Sequence, residues 1–167
     1  MNDEERIGRQ STRNKSVKNA GAPPAEVRRR ARLVVADDDP SILDQIAGIL
    51  ETRFDVVGRA CNGLELVDAV RTFSPDVVVS DITMPELNGI RAARLITETY
   101  PGVKVVMLSV HDDPAFIEAA FEAGASGYVL KLGVFEELLA AIDGVLAGGT
   151  YRPGNLCRSP RKDTSDT

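Results

Sequence analysis

The 167-residue chain predicts an α/β fold built on a doubly wound, five-stranded parallel sheet with helices on both faces. Two observations carry that prediction. Short valine-rich runs alternate five times with stretches of helical period between residues 33 and 150. The apolar runs are continuous rather than alternating, as strands covered on both faces require.

The elements follow in order. Residues 32–36, RLVVA, read as the first strand. Residues 40–53 read as a helix with Ile42, Ile46, Ile49 and Leu50 on one face; Asp39 suits its N-cap and Pro40 its first turn. FDVVGRA, 54–60, is a second strand, and 62–73 a second helix with Leu66, Val67 and Val70 aligned. PDVVVS, 75–80, is an unbroken apolar third strand. The third helix, 88–100, stops at Pro101-Gly102. VKVVMLS, 103–109, is the fourth strand, and 113–124 a helix opened by Asp-Pro and closed by Gly124. GYVL, 127–130, is a short fifth strand. The fifth helix, 134–149, turns Phe135, Leu138, Leu139, Ile142 and Leu146 inward and ends at Gly148-Gly149.

Five such units with right-handed crossovers fit the flavodoxin-like order 2-1-3-4-5. Ligand sites in open sheets of this kind lie beyond the carboxyl ends of the strands, where the strand order reverses. Here that point falls between the first and third strands.

The acids converge on that point. LVVADDDP, 33–40, runs from an apolar strand into three consecutive aspartates. Asp39 is absorbed as a helix cap. Asp37 and Asp38 sit at the carboxyl end of the first strand, and Asp81 at that of the third. Neighbouring strands lie about 5 Å apart, so three carboxylates meet. Like charges at that distance raise a pKa or take a cation. A hard divalent cation with oxygen ligands, Mg²⁺, is the natural partner. Ser109 ends the fourth strand and Lys131 the fifth. A hydroxyl and an ammonium beside a metal and carboxylates fit a bound phosphoryl group.

Composition bounds the rest. A 43% hydrophobic and 27% charged chain is that of a soluble globular protein. No apolar run approaches the roughly 18 residues of a membrane span. The N-terminus shows no apolar signal segment. Cys61 and Cys157 form no CxxC pair, so the expectation is a reducing cytoplasm without disulfide or metal frameworks. Residues 1–32 hold nine Lys and Arg against four Asp and Glu, a net of +5, and residues 151–167 carry +2, whereas 33–150 carry −12. An acidic body of that charge disfavours nucleic acid as a direct partner.

The motifs VVADDDP, PDVVVSDITMPELNG, VVMLSVHDD and GASGYVLK, in this order and spacing, resemble the receiver domain of a two-component response regulator over residues 32–150. The run from Gly127 to Gly154 is similar to the subfamily whose receivers precede a C-terminal helix-turn-helix. The resemblance implies a signalling protein rather than a turnover enzyme, limited to self-catalysed phosphoryl transfer and slow autodephosphorylation. It makes Asp81 the phosphoacceptor, supplied by a histidine kinase. Asp38 and Asp81 match side-chain Mg²⁺ ligands, Asp37 assists through water, and Thr83 matches the position that offers a backbone carbonyl. Lys131 matches the phosphoryl-binding lysine, Ser109 the hydroxyl that follows the phosphate, and Tyr128 the aromatic that changes rotamer with it. Met84, Pro85 and Gly89 match the loop after the phosphoacceptor. The surface of the fourth helix, fifth strand and fifth helix is then the switching face. That face, or the first and fifth helices, is a candidate homodimer surface. His111 reads as a loop residue with at most an influence on water access.

Two segments depart from the pattern. Residues 1–31 form a basic arm expected to be disordered, with RRRAR, 28–32, as its densest charge. Residues 151–167 read as a short polar, disordered tail without an output domain, so the expectation is either a stand-alone receiver or the truncated front of a longer transcriptional response regulator. Two alternatives stay open: a Mg-dependent phosphohydrolase, disfavoured because Thr83 stands where such enzymes carry a second acid, and a DNA-associated regulator using the basic arm.

Overall fold

The computed structural model describes residues 28–158, and the predicted alternation runs through them. The elements are β1 (Arg32–Ala36), α1 (Pro40–Leu50), β2 (Asp55–Ala60), α2 (Gly63–Phe73), β3 (Val77–Asp81), α3 (Gly89–Thr99), β4 (Lys104–Ser109), α4 (Pro114–Glu122), β5 (Gly127–Leu130), α5 (Val134–Leu146), β6 (Thr150–Arg152) and β7 (Asn155–Arg158). The strand order is β2-β1-β3-β4-β5-β6-β7. Its first five strands are the parallel sheet in the order 2-1-3-4-5 that the sequence predicts.

Local chemistry places the helix starts. The side chains of Asp39, Asn62, Asn88 and Asp113 each accept a backbone N–H of the first turn of α1, α2, α3 and α4. Strand alternation then divides the core into two layers. Val34, Val78, Val105, Met107 and Tyr128 join the layer that carries Leu66, Ala92 and Ile96 of α2 and α3. Leu33, Val35, Val79, Val106 and Leu108 join Leu43, Ile46, Leu138 and Ile142 of α1 and α5.

The helix faces differ from expectation by part of a turn. In α1 the buried stripe is Leu43, Ile46, Ala47 and Leu50, with Ile42 and Ile49 on its flanks. In α2, Ala69 takes the place expected for Val67, which is only partly buried. In α5, Ala141 and Val145 join Leu138 and Ile142 inside, while Leu146 is exposed. Small alanines let these helices approach the sheet closely, so the apolar stripe centres on them rather than on the largest side chains. The Phe135 side chain lies outside those described.

The sheet also continues past β5. Residues 151–158, expected to be disordered, contribute to β6, parallel to β5, and to β7, antiparallel to β6. The turn between them is Pro153-Gly154, with Gly154 at φ 74°. Proline then a positive-φ glycine is a type II turn signature, a signal present in RPGN that polar composition obscured. Residues 1–27 of the arm and 159–167 of the tail lie outside the described residues. No helix among the described residues is long and apolar enough to cross a membrane.

Candidate functional site

Parallel register builds the site. Ala36 of β1 pairs with Ser80 of β3, so the residues that follow, Asp37 and Asp81, stand side by side. Ser109 of β4 pairs with Leu130 of β5, which brings Lys131 to the same end. Asp37 is 1% exposed and Asp81 6%, whereas Asp38 is open to solvent.

Each acid is oriented by backbone. The Asp39 N–H donates to Asp37 Oδ1 at 3.0 Å, and the Ile82 N–H to Asp81 Oδ1 at 2.8 Å. Lys131 Nζ lies 2.6 Å from Asp37 Oδ2 and 3.4 Å from Asp81 Oδ1. Carboxylate oxygens of Asp37, Asp38 and Asp81 all fall within 4.8 Å of one another. Burial pushes the Asp81 carboxyl above its ordinary value of 3.8; Lys131 pulls it down, and Asp37 pushes it up again. One ammonium among three carboxylates leaves an excess of negative charge, and every donor in the cluster is a hard oxygen. That set fits a divalent cation of the Mg²⁺ or Ca²⁺ type.

Loop geometry holds Asp81 from the other side. The Gly89 N–H donates to the Ile82 carbonyl at 2.8 Å, and a Cβ at Gly89 would lie 1.9 Å from the Asp81 carbonyl oxygen. Glycine is what lets α3 start this close to the acid.

Ser109, Thr83 and Tyr128 do not touch the carboxylates directly; they converge on His111. The His111 N–H donates to Ser109 Oγ at 3.1 Å. The Tyr128 hydroxyl donates to the His111 carbonyl at 2.7 Å, from a fully buried side chain. Burial pushes the Tyr128 phenol upward, and hydrogen bonding with Ser109 opposes it. His111 Nε2 stands 3.4 Å from Thr83 Oγ1, and its ring stacks on Phe116 with centroids 4.5 Å apart. A single loop histidine thus links the hydroxyl, the aromatic and the residue two after Asp81. Sequence reasoning undervalued it, because its partners lie 28 and 17 residues away.

The basic run lies at the opposite end of the sheet. Arg29 pairs with Asp76 at 3.1 Å, Arg30 donates to the Thr52 carbonyl at 3.1 Å, and the Arg32 N–H donates to Asp76. These arginines serve the loops that precede β2 and β3.

Residues 33–143 match the family model described as response regulator receiver domain. Among curated proteins, the chain is 37% identical over 124 residues to the transcriptional regulatory protein DegU of Brevibacillus brevis, covering 73% of this chain and 52% of that protein. It is 40% identical over 130 residues to the transcriptional regulatory protein MctR of Rhizobium johnstonii, covering 74% and 59%. The chain thus spans little more than half the length of these relatives. Among solved structures, a LuxR-family two-component response regulator from Aurantimonas sp. SI85-9A1 is similar at TM-score 0.72 and 35% identity, covering 75% of this chain and 91% of that one. The signal receiver domain of the response regulator NarL from Mycobacterium tuberculosis is similar at TM-score 0.69 and 29% identity, covering 72% and 98%.

Proposed function

The chain belongs to the response regulator receiver family, and from that membership we propose that Asp81 accepts a phosphoryl group from a histidine kinase in a Mg²⁺-dependent reaction. The observation that carries the reading is Lys131, shared between Asp37 and Asp81 at the rim of the three-carboxylate cluster.

The chemistry follows from those groups. An oxygen of the Asp81 carboxylate attacks phosphorus in line; the bond from phosphorus to the donor breaks and its electron pair stays with the donor. Lys131 then moves from the carboxylates to an equatorial phosphoryl oxygen. Asp38, Asp81 and the Thr83 carbonyl would hold Mg²⁺, with Asp37 assisting through water. Bound there, the ion would neutralise charge on the phosphoryl oxygens. The product adds about two negative charges at the β3 terminus. The Ser109 hydroxyl turns toward the new phosphate and gives up the His111 amide. Tyr128, bonded to the same loop, repacks with it, and the loop leads directly into α4. The readout is therefore a shift of the α4, β5 and α5 surface.

The reading is regulatory. Thr83, two residues after Asp81, offers a hydroxyl beside His111 and no second acid for turnover of external substrates. Direct DNA contact is disfavoured by the −12 body and by the use of Arg29, Arg30 and Arg32 within the chain. The relatives DegU and MctR are named transcriptional regulatory proteins, which supports a receiver that passes its signal to transcription control. An exposed free thiol at Cys61 suits a reducing cytoplasm as the place of action.

Incubation with acetyl phosphate and Mg²⁺, followed by intact mass spectrometry, tests the assignment. The wild type is expected to gain one phosphoryl group and Asp81→Asn none. Lys131→Ala is expected to label on the order of a hundredfold more slowly while remaining folded. Equal labelling of Asp81→Asn overturns the assignment, and repeated turnover of a generic phosphoester overturns the regulatory reading.

A further inference from the structure

The edge of β5, between α4 and α5, is covered by the chain itself. β6 pairs with it, and the Tyr151 N–H donates to the Ser126 carbonyl at 3.0 Å. Successive strand residues face opposite sides. Tyr151 accordingly packs with the α1 and α5 layer, and Arg152 reaches the α4 side. There the guanidinium donates to Glu118 Oε1 at 2.7 Å and lies 3.9 Å from the centroid of the Phe121 ring. Glu118 and Phe121 are three apart on α4 and so share a face. A planar cation that meets a carboxylate with its edge and a ring with its face is held in two directions at once.

α4 is lightly anchored otherwise. Of its nine residues only Ala120 is fully buried. Its lead-in loop is the one bonded to both Ser109 and Tyr128 through His111. The helix that a change at Ser109 reaches first is therefore the helix that Arg152 grips.

We propose that the β6–β7 hairpin is a cover on the α4–β5–α5 edge, latched to α4 by Arg152, and that phosphorylation of Asp81 loosens the latch. In the resting protein the edge is occupied in cis, by the chain's own β6. The release step rests on the phosphoacceptor reading; the latch itself does not.

Hydrogen–deuterium exchange on the full chain tests both. In the unphosphorylated protein, Arg152→Ala and the near-isosteric Glu118→Gln are each expected to speed exchange of the Tyr151 amide by roughly two- to fivefold, the scale of a solvent-exposed ion pair and cation–π contact. Residues 114–122 are expected to speed up with it. Wild-type protection of Tyr151 in both variants overturns the latch, as does faster exchange confined to residues 150–158. Acetyl phosphate with Mg²⁺ is expected to speed Tyr151 exchange in the wild type to the Arg152→Ala rate. Protein labelled on Asp81 with an unchanged Tyr151 rate overturns release. Absence of the label overturns the phosphoacceptor reading and release with it, while the two variants still decide the latch.

Discussion

Asp81 carries a charge that the folded protein resists. Burial is the main cause and Asp37 adds to it, with Lys131 in opposition. The fold therefore favours the protonated form. Between 3.8 and its raised folded value the native state binds more protons than the unfolded chain, so stability falls as pH rises through that window. The favourable contribution is complete below the ordinary value and lost above the folded one. In metal-free buffer at pH 7, Asp81→Asn is expected to be more stable than wild type by on the order of 1 kcal/mol. The difference is expected to shrink toward zero as pH falls toward 3.8. Urea unfolding of both proteins across pH, with chelator present, measures it; a variant less stable at pH 7 would show the charge to be fully compensated. A carboxylate kept at such a cost is placed for chemistry rather than for stability.

At the scale of elements, strands and helix starts were legible, and the details of packing less so. Asp39, Asn62, Asn88 and Asp113 are local signals and act within a few residues of themselves. Which face of α1 or α5 is buried is not local. It depends on where small residues such as Ala47 and Ala141 allow close approach, and that is set by the opposing strands. The approach of α3 to Asp81 is of the same kind. In Gly89→Ala the new methyl meets backbone, which cannot rotate away as a side chain would. The variant is expected to lose roughly 2–3 kcal/mol in urea unfolding and to take up phosphate from acetyl phosphate more slowly, because Asp81 must move. Unchanged stability and labelling would mean that the loop yields at no cost. The β6–β7 hairpin was missed even though Pro153-Gly154 announces a turn, since strands of three and four residues carry too little pattern to be told from a polar tail.

For the whole molecule, the acid cluster makes stability depend on metal. Ions that bind only the folded chain stabilise it by mass action, about 2.7 kcal/mol at a free concentration one hundred times Kd. Thermal unfolding is expected to show a rise of Tm with Mg²⁺ in the wild type and little in Asp38→Ala. Asp38 is the exposed member of the cluster, so its removal spares the core. Equal gains in both proteins would place the ion elsewhere.

The sequence by itself determined the α/β class, the order of the elements, the acidic end of the sheet and the convergence of Asp37, Asp38, Asp81 and Lys131 there. Apolar period, caps and strand-end positions are properties of short stretches, so they are written where they act. Tertiary structure alone decided that Lys131 sits closer to Asp37 than to Asp81, that His111 joins Ser109 to Tyr128, and that Arg152 clasps α4. Those contacts close loops of up to 94 residues, and their distances depend on how every intervening element packs.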